Sequence, residues 1–296
     1  MADPLLLVDA PYLLYRAFFG LPDKIRGGDG RPVNALLGSV NTILAQAEER
    51  SARAVVCCFG PDAAAYRVEL YPAYHAHRPP VPDDLAHQWE RAADLYRALG
   101  WHVAESSDLE ADDLLGAYAK AETSARAAAT PAAAGTAGGE GEALILTGDR
   151  DLFQCATESV RVLLLGGRGK KGPEEIGPAE VRERYGVEPE QVPDFIALRG
   201  DPSDGLPGAK GIGEKRAADI LRRHGSLETA LVEADRDGPD GNSLCRQADE
   251  LRAFREIATL RPVDVQRPQD APTDRAGGAA AARKLGMKRL AERLAA

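Results

Sequence analysis

Cysteine is scarce in this 296-residue chain, which has four: Cys57, Cys58, Cys155 and Cys245. None stands in C-x-x-C spacing, and Cys57 and Cys58 are adjacent in a strand-like run, where successive side chains point to opposite faces. Neither a disulfide framework nor a zinc site is expected, and the setting expected is a reduced cytoplasm. Long apolar runs are also lacking. No stretch approaches the ~20 residues of a membrane span, so no membrane partner is expected. The N-terminus, Met1-Ala2-Asp3-Pro4-Leu5-Leu6-Leu7-Val8-Asp9, has no basic region before its short apolar run, so no signal peptide is expected. Positive charge is in deficit, with 37 Lys and Arg against 46 Asp and Glu, a net of −9. That balance argues at first against a nucleic-acid partner. It is a poor guide if many carboxylates hold cations, because bound divalent ions would put positive charge where a phosphate would sit.

What is present fits a globular protein, with 44% hydrophobic and 28% charged residues and a length that allows two domains. The organising stretch is Asp108-Leu109-Glu110-Ala111-Asp112-Asp113-Leu114-Leu115-Gly116. Glu110, Asp112 and Asp113 open what reads as a helix whose apolar face is set by Leu114, Leu115 and Tyr118. One or two acids in a first turn complement the helix dipole by ~0.3–1 kcal/mol each. Three within four residues repel one another unless a cation sits among them, so the stretch reads as half of a metal site.

Leu5-Leu6-Leu7-Val8, Ala54-Val55-Val56-Cys57-Cys58-Phe59 and Ala143-Leu144-Ile145-Leu146 are continuous apolar runs, the type buried on both faces of a parallel sheet. A short strand is expected at 101–103 and another at 160–165. Helices are expected from about 11, over 33–49 and 83–99, and from the acidic stretch to about 126. Alternating strands and helices indicate an α/β fold with a mostly parallel central sheet, and ligands in such sheets bind beyond the strands' carboxyl ends. Asp9, Asp149 and Asp151 all lie just past a strand end. One such Asp is usually a turn or cap residue. Several on one sheet edge weaken that explanation.

Between 63 and 88 aromatic and basic residues interleave, among them Tyr66, Arg67, Tyr71, Tyr74, His75, His77 and Arg78. This is either a surface loop with two short helices or a mobile segment gripping single-stranded nucleic acid. Residues 127–141 are a low-complexity insertion to which no function is assigned. Beyond 177 the pattern is helical. Within it, 200–216 is dense in glycine and charge, and closely spaced glycines let backbone approach a phosphate chain at a helix N-terminus. A terminal amphipathic helix over 279–296, with Leu285, Leu290 and Leu294 on one face, is expected to serve packing.

Six blocks taken in order resemble the 5′-nuclease (flap endonuclease) family, in particular the bacterial 5′–3′ exonuclease domain of DNA polymerase I. They are Leu7-Val8-Asp9; Tyr15-Arg16-Ala17; the run from Tyr74 to Asp84; Glu110-Ala111-Asp112-Asp113; Thr147-Gly148-Asp149-Arg150-Asp151-Leu152; and the run from Gly200 to Lys215. The resemblance covers about 4–265, and without a polymerase region after it the chain is expected to be a stand-alone nuclease. It implies a PIN-like catalytic domain over 1–172 with a helical arch at about 61–92. It further implies a helix–three-turn–helix DNA-binding domain over 173–265, followed by a tail over 266–296.

The resemblance also implies two or three Mg²⁺ or Mn²⁺ ions. By position, Asp9, Glu110, Asp112 and Asp113 would form a first metal site, partly through water, and Asp149, Asp151, Asp201 and Asp204 a second. The catalytic set would be Asp9, Arg67, Arg78, Glu110, Asp112 and Asp151, with the two arginines on the scissile phosphate. Tyr74, His77, Arg78, Gly208, Lys210, Gly211, Gly213, Lys215 and Arg216 would contact DNA, and in relatives the glycine turn also holds K⁺. The implied activity is 5′–3′ exonuclease and flap endonuclease cleavage of DNA and RNA primers by a monomer, in replication and repair. Two departures stand out: Gly60 occupies the family's metal-binding Asp position, with Asp62 two residues on, and His75 stands where the arch often has Lys. A catalytically weak junction-binding protein is the alternative. A small RNase of the related toxin type would lack the duplex-binding module.

Overall fold

A computed structural model describes residues 3–129, 142–166, 172–234 and 238–296. In chain order the elements are β1 (Leu5–Asp9), α1 (Ala10–Gly20), α2 (Asn34–Glu49), β2 (Ala54–Phe59), α3 (Ala65–Leu70), α4 (Asp83–Ala98), β3 (His102–Glu105) and α5 (Ala111–Ala129). They continue with β4 (Ala143–Thr147), β5 (Val160–Leu164), β6 (Glu174–Ile176), α6 (Pro178–Tyr185), α7 (Val192–Arg199) and α8 (Glu214–His224). The last are α9 (Leu227–Val232), α10 (Pro239–Arg246), α11 (Ala248–Ala258), α12 (Arg275–Lys284) and α13 (Lys288–Ala295).

The strands form one sheet in the order β3-β2-β1-β4-β5-β6, parallel except for the antiparallel β5–β6 pair. Residues of β1 alternate between two cores. Leu5 and Leu7 join the side covered by α5 and by α6 to α11, whereas Leu6 and Val8 join the side covered by α1, α2, α4, α12 and α13. Burial on both faces is why these strands are uninterrupted apolar runs, each leucine contributing about 1.5–3 kcal/mol. Because β1 lies between β2 and β4, the strand order reverses at its carboxyl end, the place where α/β sheets leave a crevice.

The structure departs from the expected boundaries. β6 lies beyond 172 and extends the sheet, so the first domain does not end there. The terminal segment is two helices rather than one, broken at Gly286, whose φ is +76°. Only glycine fits at this break, since a Cβ there would lie 2.1 Å from the Gly28 nitrogen. These helices are not a detached tail: Ala282, Met287, Leu290 and Leu294 enter the core beside Leu95 and Leu99 of the α4 region. The chain reaches them along 260–274, where Ala271 N–H donates to the Arg53 carbonyl and Asp274 N–H to that of Leu99. Arg53 and Arg267 clamp the fully buried Glu122 on the way. The insertion expected at 127–141 falls, from 130 on, outside the described residues.

Candidate metal centre and nucleic-acid interface

The crevice past β1 is a cavity of about 650 Å³. Asp9 closes β1, caps α1 by accepting the Tyr12 N–H at 3.0 Å, and accepts the Thr147 hydroxyl at 2.6 Å. It is therefore both a helix cap and a wall of the cavity. Asp149 follows β4 and accepts the Asp151 N–H at 2.9 Å. Glu110 and Asp112 come from the start of α5, and Asp201 and Asp204 from the loop after α7. With Asp62, eight carboxylates line the cavity against four guanidiniums, those of Arg67, Arg78, Arg150 and Arg199.

Electrostatics reflect this excess. Burial raises the Asp9 carboxyl above its usual range, opposed by the Thr147 and Tyr12 bonds. Burial, then the nearby Asp149, Asp9 and Glu110, pushes Asp112 well above. Asp149 is raised to about 7 by burial, then by Asp204, Asp9 and Asp201. Asp151 is raised well above by burial and the same acidic neighbours, opposed by Arg199. Such mutual repulsion is what a bound cation relieves.

The donor set suits a hard ion, being all carboxylate oxygen. Among the described residues no three His, Cys, Asp or Glu side chains meet at one ligating point. Mg²⁺ keeps several waters and takes one or two carboxylates directly, so the looser arrangement still fits it.

Several sequence expectations need correction. Asp113 does not face the cavity. It is fully buried, its oxygens taking Arg67 Nη1 and Nη2 at 3.0 and 2.9 Å, the Glu110 N–H at 3.1 Å and the Arg261 N–H at 2.9 Å. Placed at the third helical position, it bonds back to the residue before α5, as in a capping box. Arg67 is 2% exposed, with Nε on the Ile257 carbonyl and its remaining nitrogens on Asp113 and Glu110. It orders carboxylates instead of offering donors to a phosphate.

Tyr74 is equally unavailable for base stacking. It is buried, stacked on His75 with ring centroids 3.8 Å apart, and donates to Glu110 at 3.0 Å. The expected arch is therefore docked: Tyr71 packs on Phe254, His75 bonds Asp204, and Arg78 bridges Asp62 at 2.8 Å and Asp204 at 3.1 Å. His77 remains exposed beside Gly205.

Gly60 is a glycine for steric reasons. A Cβ there would lie 2.3 Å from the Leu109 carbonyl oxygen and 2.7 Å from Glu110 Cα, so backbone entering α5 fills the space an Asp would need. Asp62 reaches the rim of the cavity but is half exposed and spent on Arg78.

In the glycine turn, Lys210, Gly211, Gly213, Lys215 and Arg216 are exposed around the start of α8. Gly211 has φ +81° and open space around it. Gly208 differs from the DNA-contacting expectation: it is buried, and its Cβ would lie 2.3 Å from the Gly200 nitrogen, so it serves packing. Gln247 braces the turn by accepting the Lys210 N–H at 2.7 Å. Arg150, Arg199, Tyr12, Tyr15 and Trp89 also line the cavity and were not singled out as site residues. Arg150 sits inside the Asp149–Asp151 block, and Arg199 directly precedes the glycine block, which are the signals that could have found them.

Residues 4–186 match the family model for the 5′–3′ exonuclease N-terminal resolvase-like domain, and 187–275 that for the 5′–3′ exonuclease C-terminal SAM fold. A 5′–3′ exonuclease of Mycobacterium tuberculosis is 38% identical over 79% of this chain and 75% of its own length. The thermostable DNA polymerase I of Thermus thermophilus is also 38% identical, over 92% of this chain but 31% of its own length. In fold, the chain is similar to a bacteriophage T5 protein crystallised with metal ions, with TM-score 0.68 and 17% identity over 99% of this chain and 98% of that one. It is similar too to the flap endonuclease-1 of Methanococcus jannaschii, with TM-score 0.54 and 16% identity over 99% and 91%. This chain belongs to the 5′–3′ exonuclease family.

Proposed function

We propose that this family member is a Mg²⁺- or Mn²⁺-dependent 5′–3′ exonuclease and flap endonuclease. It would hydrolyse phosphodiesters of flap, nicked or gapped DNA to 5′-phosphate and 3′-hydroxyl products, acting as a monomer in the cytoplasm. The observation that carries the reading is the excess of four carboxyl groups over guanidiniums in one cavity at the strand ends, which two divalent ions would balance once the carboxyls are ionised. Bound there, such ions would lower the pKa of the attacking water and stabilise the leaving 3′ oxygen. Asp9, Glu110 and Asp112 would hold one ion, and Asp149, Asp151, Asp201 and Asp204 the other.

The chain's own residues would do the rest. Arg67 and Thr147 hold Glu110 and Asp9 in place. Arg78, half exposed and now paired with Asp62 and Asp204, would turn to the scissile phosphate as cations replace it on Asp204. Lys210, Lys215 and Arg216 would meet duplex phosphates, with K⁺ in the same turn. Gly60, which supplies no carboxylate to the first site, favours the second reading of a junction-binding protein with weak catalysis.

The test is a 5′-labelled flap duplex incubated with Mg²⁺, Mn²⁺ or chelator. Metal-dependent cleavage, abolished by chelation while the protein stays folded, is expected. Asp151→Ala should lower kcat by several powers of ten and leave flap binding nearly intact. Cleavage at the full rate in chelator would refute the metal mechanism. Binding without cleavage in either metal would leave the junction-binding reading.

A further inference from the structure

Arg199, the last residue of α7, lines the acidic cavity. Its guanidinium carbon lies 5.4 Å from the Tyr185 ring centroid and 5.3 Å from that of Phe195. Those two rings stack on each other at 4.9 Å, so the cation rests on a built aromatic wall. From there Nη2 donates to Asp201 Oδ2 at 3.2 Å. The other oxygen of Asp201 accepts the Ser203 N–H at 2.8 Å and the Ser203 hydroxyl. Held from both sides, the carboxylate has no freedom to rotate.

Packing alone does not account for an arginine here. Its Nε is buried without a hydrogen-bond partner, which costs about 1–3 kcal/mol. A methionine would cover the same two rings without that cost. Electrostatics alone do not account for it either, since a fixed positive charge beside a cation site repels the incoming ion. What the guanidinium supplies and neither alternative does is a donor aimed at one Asp201 oxygen.

We propose that Arg199 is a positioning residue for metal binding, orienting Asp201 from the Tyr185–Phe195 wall. The proposal rests on the reading of Asp201 as a metal ligand. It also has a sign. If Arg199 acted mainly as a competing charge, removing it would tighten metal binding. As a positioning residue its removal weakens binding, and losses of this kind at groups that orient a ligand are about 10–100-fold.

The experiment is Mn²⁺ binding to the full chain without DNA, by titration calorimetry, for wild type, Arg199→Met, Arg199→Lys, Asp201→Asn and the double variant Arg199→Met/Asp201→Asn. Arg199→Met should weaken binding at least about tenfold. Arg199→Lys, which keeps charge but not the planar fork, should fall between. In the Asp201→Asn background Arg199→Met should change nothing further, because the residue it acts through is gone. Unchanged or tighter binding by Arg199→Met overturns the proposal, as does a further loss in the double variant. If Arg199→Met fails to fold, wild-type affinity in Arg199→Lys overturns it. If Asp201→Asn itself leaves Mn²⁺ binding intact, the ligand reading of Asp201 falls and this proposal with it. If Asp201→Asn weakens binding and Arg199→Met does not, this proposal alone falls.

Discussion

Asp112 and Asp113 are neighbours in the chain, yet only Asp112 lines the acidic cavity while Asp113 is sealed against Arg67. The two should respond oppositely to removal. Asp113→Ala leaves the Arg67 guanidinium buried without its main partner, and loss of one partner of a buried pair costs about 3–5 kcal/mol. Urea melts should show that loss in chelator and in Mg²⁺ alike; a change below 1 kcal/mol would mean the pair is dispensable. Asp149 allows a test by pH. Its folded-state value of about 7 lies above the ordinary 3.8, so the folded chain retains a proton that the unfolded chain releases. Stability from this group is full below 3.8 and is lost as pH rises through 7. Asp149→Asn has no such loss. In chelator the variant should match wild type below about pH 4 and gain on it progressively as pH rises to about 7, and curves that stay parallel would refute the assignment.

The start of α5 and the turn before α8 make predictions at the scale of elements. Backbone at 109–111 rests directly on Gly60. Gly60→Ala should therefore cost about 1–3 kcal/mol by overpacking. Restoring the family's acid with Gly60→Asp should not lower the metal concentration needed for cleavage, because the new side chain displaces the helix end that carries Glu110 and Asp112. A metal titration shifted to lower concentration by Gly60→Asp would show that the helix end yields. The part of the glycine turn from Gly208 to Arg216 does not line the cavity and bears exposed Lys215 and Arg216. Each phosphate neutralised adds roughly 0.9 to the slope of log K against log salt. Lys215→Ala with Arg216→Ala should flatten that slope by about one to two units and weaken duplex binding uniformly across sequences, while single-turnover cleavage at saturating enzyme persists. A slope equal to wild type would exclude the turn as the duplex anchor.

At the scale of the molecule, the return of α12 and α13 to the first domain ties the ends of the chain together. Leu290 is 2% exposed in the core shared with α1, α2 and α4. Leu290→Ala should cost about 2–5 kcal/mol, as other buried leucines do. Cleavage per folded molecule should be unchanged, since no residue of α13 lines the cavity. An equal melting temperature for the variant would show that these helices dock without supporting the sheet.

Much of this architecture is legible from residues in order. Strands buried on both faces need continuous apolar runs, so β1, β2 and β4 could be read directly, and Asp9 and Asp149 followed at their ends. β6 escaped because Glu174-Glu175-Ile176 is three residues of edge strand with one buried side chain. Local order also fixes that acids cluster at the start of α5, because the helix repeat needs only neighbours. It cannot fix which acid faces the cavity and which meets an arginine 46 residues earlier, because adjacent helical side chains diverge and their partners come from elsewhere. For the same reason Tyr74 reads as a stacking residue until Glu110 is seen beside it, and Gly60 reads as a lost ligand until 109–111 is seen to fill its space. The tertiary structure decided these assignments through contacts between residues distant in the chain, where excluded volume and paired charge leave one arrangement.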